Sequence, residues 1–299
     1  MAPGASRPDA AIAVHGLSKS FGALTVLRGL DLAVRHGEVF GFLGHEGAGK
    51  TTTIRCLLDL VRPDGGTIRM LGVDPQTDPG AIQAQVGYLP TILDRDEELT
   101  PRQLLKHFDA LHGGGMDWAY TLTLADRFEL ALDKPIKGLS RGNKQKVRLL
   151  KAFLHKPPVL LLDEPTRGLD PRMQETVLQW VRELKTQTRT VLLASRHWED
   201  VRDIADRVGV LRAGQVVDNA PPAVLTAGRY ADVVLWEACD PGLFTRLEGI
   251  RVLGNRGNKQ FLLHISGELD ALFHALSVCK IQRFATQRTA PGSVPFDRC

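Results

Sequence analysis

The chain has 299 residues, 43% of them hydrophobic, with a net charge of +4 and a pI of about 8.9. That is apolar material for one large core, or for one large and one small, and the charges form no basic block of the kind that marks a nucleic-acid or membrane-surface arm. Cys56, Cys239, Cys279 and Cys299 lie far apart with no CxxC spacing, which argues against zinc and against a disulfide framework.

The opening "MAPGASRPDA" lacks a signal-peptide core, and no stretch approaches the ~18 consecutive apolar residues that span a bilayer. The expectation is a cytosolic chain whose membrane role, if any, comes through a partner. After a disordered tail over 1–10, "IAVHGLSKSFG" and "LRGLDLAVRHGEVFGFLG" read as short β runs broken by glycine turns. From Thr51 the pattern turns helical, and "GGTIRMLGVD" returns to strand and turn. Between about Thr91 and His155 helical periodicity dominates, with Leu104, Leu105, Phe108 and Leu111 on one face of its first segment, which predicts a helical insertion. "PPVLLLDEPT" is a continuous apolar run ending in carboxylates, as in a strand buried on both faces. Val177, Val181 and Leu184 then recur at helical spacing, and "TVLLAS" is a further buried strand. This succession predicts an α/β fold with a doubly wound sheet over 11–222. The pattern breaks at Pro221 and Pro222. The shorter runs "YADVVLWEA", "IRVLGN", "QFLLHIS" and "KIQRFATQ", with one helix from about Leu269 to Ser277, predict a small α+β accessory domain over 223–299.

Gly44, Gly49, Lys50 and Thr51 in "GHEGAGKTT" fill the G-x-x-x-x-G-K-[ST] pattern between a predicted strand and a predicted helix. Glycines let backbone N–H groups turn inward around a phosphate, Lys50 adds a point charge, and the Thr51 hydroxyl can ligate Mg²⁺. A carboxylate at a neighbouring strand end is the second requirement, and Asp163 fits it. Glu164 then stands where a general base would act on an attacking water. In "LSRGNKQKVRLLKAFL" a Ser-x-Gly turn, Ser140 to Gly142, opens a helix and can present N–H groups to an anion. The same turn also reads as an ordinary helix cap.

These three elements in this order resemble the ATP-binding subunit of an ABC transporter. "GHEGAGKTT" is similar to the Walker A loop, "LSRGNKQKV" to the family signature, and "VLLLDEPTRGLDP" to Walker B running into the D-loop; the likeness covers about residues 11–220. It implies a P-loop NTPase sheet with an antiparallel β subdomain and a helical insertion. It also implies ATP and Mg²⁺ as cofactors, the metal on Thr51 and Asp163, and hydrolysis through Glu164 and Lys50. The nucleotide would lie on Phe21, where the family stacks an aromatic on adenine, and on the loop Gly44, His45, Glu46, Gly47, Ala48, Gly49, Lys50, Thr51 and Thr52. Ser140, Arg141 and Gly142 would close over the ATP of a second copy, so the resemblance implies a head-to-tail homodimer driving an integral-membrane permease, with no nucleic-acid partner. The C-terminal segment resembles that of drug and natural-product exporter ATPases.

Three positions depart from the family. His45 and Glu46 stand for its usual Pro-Asn, and Thr91 for the glutamine that reaches the metal's water. Arg196 stands at the switch-histidine position, where a guanidinium can supply charge to the γ-phosphate; a one-residue shift would bring His197 there instead. Two alternatives stay open from sequence: a catalytically impaired nucleotide-binding regulator, and a soluble ABC ATPase acting on ribosomes or DNA.

Overall fold

The structure is a computed structural model and describes residues 10–90, 98–226, 229–266 and 270–287. Strands β1 (Ala10–Phe21) and β2 (Leu24–Arg35) form a long antiparallel hairpin. Against the expectation of short runs broken at the glycines, both strands are continuous, and Ala10, expected in the tail, is the first residue of β1. Gly16 instead takes a positive φ within β1, where the register shifts between Val14 and Leu17: a bulge absorbs one extra residue without ending the ladder. The chain continues through β3 (Val39–Leu43), α1 (Lys50–Leu57) and β4 (Gly65–Met70), which pairs with β1 to complete a three-stranded antiparallel sheet.

Helix α2 (Pro79–Gln85) leads into β5 (Val86–Leu89), and three helices follow: α3 (Pro101–Leu111), α4 (Trp118–Arg127) and α5 (Arg141–Phe153). A capping box between Thr100 and Gln103, with Pro101 in the first turn, starts α3. Leu104 and Leu105 are buried on it, but Leu111 is 77% exposed. It is the last residue of the helix, past the point where the apolar face still meets a neighbour.

Next come β6 (Val159–Asp163), α6 (Pro171–Thr186), β7 (Thr190–Ser195), the short α7 (Glu199–Arg202), β8 (Arg207–Arg212) and β9 (Gln215–Ala220). The main sheet has the order β5-β6-β7-β3-β8-β9, parallel except for β9. Alternate residues of its strands enter two different cores. Val39, Leu43, Leu160, Leu162, Val191 and Leu193 pack towards α3–α6, and Phe40, Phe42, Leu161, Leu192 and Ala194 pack towards α1 and the antiparallel sheet. Burial on both faces is why these strands read as unbroken apolar runs.

After α8 (Pro222–Thr226), strands β10 (Arg229–Leu235), β11 (Ile250–Arg256), β12 (Gln260–Ile265) and β13 (Ile281–Gln287) form a separate antiparallel sheet, β11-β12-β10-β13. The helices α9 (Gly242–Thr245) and α10 (Asp270–Leu276) accompany it. It has a core of its own, centred on Phe244, Phe261, Leu263 and Leu272. Among the described residues no helix is long and apolar enough to cross a membrane.

One buried ion pair fastens the β2–β3 turn to β8. Glu38, 5% exposed, accepts from the Arg207 guanidinium at 2.5 and 2.9 Å and from the Arg35 backbone N–H at 2.7 Å. Replacing Glu38 by alanine strands a largely buried guanidinium, so Glu38→Ala should lower unfolding stability by about 3 kcal/mol. Denaturant titration beside the parent chain measures it, and an unchanged midpoint would refute the role given to the pair.

Candidate functional site

Three neighbouring strands of the main sheet end side by side. The Gly44 N–H donates to the Ser195 carbonyl at 3.1 Å and the Glu164 N–H to the Ala194 carbonyl at 2.9 Å, so the loops leaving β3 and β6 are both hydrogen-bonded to the end of β7. A cleft of about 400 Å³ opens there, at the carboxyl edge where α/β sheets bind ligands.

The β3–α1 loop forms one wall. Helix α1 starts without a side-chain cap, from Gly49 at φ 112°, a backbone angle that a residue with a Cβ rarely adopts; its first N–H groups are left for an anion. Lys50 is 6% exposed, and its ammonium donates to the carbonyls of Gly44 and His45 at 2.5 and 3.0 Å. The Thr51 hydroxyl donates to Asp163 Oδ2 at 2.7 Å. This hydroxyl and carboxylate are hard oxygen donors from two elements, a set that suits Mg²⁺, a cation that keeps several waters beside one or two protein ligands.

Glu164 follows Asp163 at a left-handed φ of 52°, a conformation costly for a residue with a side chain. Its carboxylate lines the cleft and lies 3.5 Å from the Lys50 ammonium. Burial pushes Lys50 below the ordinary lysine range, opposed by the charges of Glu164 and Asp163. It pushes Glu164 above the ordinary carboxylate range, opposed by Lys50. Both groups are thus driven towards their neutral forms by lost hydration, and each is the other's main stabilising charge.

Of the residues expected from sequence, the cleft brings together Phe21, His45, Glu46, Gly47, Gly49, Lys50, Thr51, Thr52, Glu164 and Arg196. Phe21 is half exposed at the hairpin tip beside Leu24. Glu46 lies 3.8 Å from Arg196, with most of its side chain in solvent. Arg196 lines the cleft and His197 does not; the Arg196 Nε–H donates to His197 Nε2 at 3.1 Å. Ser140, Arg141 and Gly142 do not line it. Ser140 caps α5 by accepting the Asn143 N–H, and Gly142 packs so closely on Gly168 that a Cβ would sit 2.9 Å from its carbonyl oxygen. Thr91 lies outside the described residues.

The sequence reading missed several participants. Leu24, Val26 and Arg167 line the cleft. Gln145, 3% exposed on α5, donates its amide to the carbonyls of Glu164 and Pro165 at 3.2 and 3.0 Å. Asp200 is also buried: one of its oxygens accepts both the Ser195 hydroxyl and the Thr166 hydroxyl, the latter at 2.9 Å, while Ser195 Oγ accepts the His197 N–H at 3.0 Å. A single carboxylate thus ties the loop carrying Glu164 to the loop carrying Arg196.

A phosphate-type loop and an acidic strand end, on the carboxyl edge of a mostly parallel sheet, define a P-loop nucleoside triphosphatase. The profile of the family described as "ABC transporter" matches residues 27–167. Over 237 residues the chain is 40% identical to the daunorubicin resistance ATP-binding protein DrrA3 of Streptomyces coeruleorubidus, covering 77% of this chain and 75% of that protein. It is 34% identical to the Nod factor export ATP-binding protein I of Paraburkholderia xenovorans (strain LB400), over 78% of this chain and 79% of the other. A solved ATP-binding subunit of an ABC transporter superposes with a TM-score of 0.65 at 29% identity, over 71% of this chain and 90% of that one. The chain belongs to the ATP-binding proteins of ABC transporters.

Removing the Asp200 carboxylate leaves two buried hydroxyls without their acceptor and frees both loops. Asp200→Ala should cost about 2 kcal/mol of stability and slow ATP hydrolysis roughly tenfold or more. Asp200→Asn, which keeps an acceptor in place, should retain most of both. Phosphate release and urea midpoints test this; equal hydrolysis by the alanine variant and the parent would remove Asp200 from the account.

Proposed function

We propose that the chain is the ATP-hydrolysing subunit that powers export of a small molecule through a separate membrane permease. The relatives named above are ATP-binding proteins of drug resistance and of Nod factor export, which supports the export direction. The observation that carries hydrolysis, rather than nucleotide sensing alone, is Glu164 in the cleft 3.5 Å from Lys50.

Chemically, Lys50 gives up its two carbonyls for the phosphates of ATP, and the N–H groups at the start of α1 turn towards the same oxygens. Thr51 and Asp163 would hold Mg²⁺, which would supply neutralising charge to the phosphate oxygens. Glu164 accepts the proton of the attacking water, its raised proton affinity making it a better acceptor than an exposed carboxylate. Arg196 takes the switch position and offers a permanent charge to the γ-phosphate. Phe21 stacks on the base.

The Ser140–Gly142 turn lies outside the chain's own cleft, so the site is completed by the turn of a second copy in a head-to-tail homodimer. A solved cassette with the same fold, captured as a dimer bound to ADP and phosphate, supports this arrangement; it is 20% identical with a TM-score of 0.65. The permease would seat in a groove of about 680 Å³ lined by Tyr88 of β5 and Pro90 just after it, Phe108 and His112 at the end of α3, and Lys151 and His155 at the end of α5. Peripheral attachment to the inner face of the cell membrane follows from that seating. The domain after about residue 222 is accessory to this engine.

Glu164→Gln keeps size and hydrogen-bonding capacity but cannot accept the proton. It should bind ATP within about twofold of the parent, hydrolyse it at least about 10²-fold more slowly, and hold the nucleotide-bound dimer long enough to be seen by size-exclusion chromatography. Parent-like turnover would sink the assigned base, and a monomer under those conditions the dimer.

A further inference from the structure

Behind the nucleotide cleft the phosphate loop meets a second part of the chain. A small apolar cavity, about 20 Å³ and so roomy enough for about one water, has Gly44 and His45 of the loop on one side. Leu211 of β8 is on another, and Tyr230, Leu253 and Leu262 of the C-terminal sheet close it. His45 is the residue common to the walls of the cleft and of this cavity.

The seam is built, not incidental. Tyr230, Leu253 and Leu262 form their own buried cluster, 2%, 5% and 3% exposed, on the face of the sheet opposite its core. The Tyr230 hydroxyl donates to the Leu225 carbonyl at 2.8 Å, and Arg251 of β11 pairs with buried Asp218 of β9 at 2.8 Å. Arg251 thus ties the C-terminal sheet to β9 of the ATPase sheet, and Tyr230 ties it to α8, whose Leu225 is buried in the core shared with α3–α6.

Across the cavity from Tyr230, Leu253 and Leu262 stands the part of the loop that holds Lys50. The ammonium rests on the carbonyls of Gly44 and His45, so their position sets where it waits for a phosphate. On its β8 side the loop is already closely packed: a Cβ built on Gly44 would stand 2.7 Å from the Leu211 carbonyl oxygen. We propose that the C-terminal sheet braces the phosphate loop: Tyr230, Leu253 and Leu262 are positioning residues that act through Gly44 and His45 to set the affinity of the site for ATP. The role of this sheet is then to bias nucleotide binding from outside the cleft. The inference rests on the reading of the cleft as the nucleotide site.

Adjacent residues of β12 separate bracing from mere folding, because Leu262 faces the seam while Leu263 faces the core of the C-terminal sheet. Binding of a fluorescent ATP analogue to the purified full chain should be weakened roughly three- to tenfold by Leu262→Ala. Leu263→Ala, which removes the same atoms from the other face, should lower the melting temperature at least as much yet leave affinity within about twofold. Should either alanine variant fail to fold, Leu262→Val and Leu263→Val carry the same contrast at smaller amplitude. Unchanged affinity in the Leu262 variants, or an equal loss in both, overturns the brace. A parent chain that does not bind the analogue fails the nucleotide reading itself, and the brace with it.

Discussion

The cleft depends on where β7 ends. In a parallel sheet every strand leaves its carboxyl end on the same edge, and here β7 lies between β6 and β3 in the sheet. Its last residues accept hydrogen bonds from the first loop residues on either side, Ala194 from Glu164 and Ser195 from Gly44. That arrangement places an acid-bearing turn and a phosphate-type loop within reach of each other, although they are far apart in sequence. Asp200 holds the same edge from beneath, and Gln145 fastens α5 to it. Shifting β7 by one residue would move every member of the site.

The same edge sets the electrostatics. Lys50 and Glu164 are carried to a place where neither is well hydrated, so each has the other as its nearest opposite charge. Burial without a ligand is costly for both, and the left-handed backbone at Glu164 adds strain. On the proposed reading, a multiply charged anion entering the cleft would relieve Lys50 of its dependence on Glu164 and leave Glu164 free to face a water.

Much of this was legible in the residues. The two-faced burial of β6 and β7 shows as unbroken apolar runs, and the loop glycines, Lys50, Thr51 and Asp163 announce their task through spacing. Arg196, read from the interval to the next strand, is the residue found at the cleft, and His197 is not. What failed did so for local reasons. Glycines inside β1 and β2 looked like turns because a bulge and a turn make the same demand on backbone angle, and Leu111 keeps the helical period on a last residue that no neighbour covers. Gln145 and Asp200 were invisible because their partners are tertiary: a buried polar side chain looks like any surface one until its acceptor is known.

The hairpin tip deserves a last consequence. Phe21, Leu24 and Val26 give the cleft a rim that is apolar and half open, with no side-chain donor or acceptor of their own. A flat ring laid on such a rim is held by its area, and its hydrogen-bonding edge goes unread. On the reading proposed above, such a wall would favour a flat ring over a non-aromatic group without telling one purine from another.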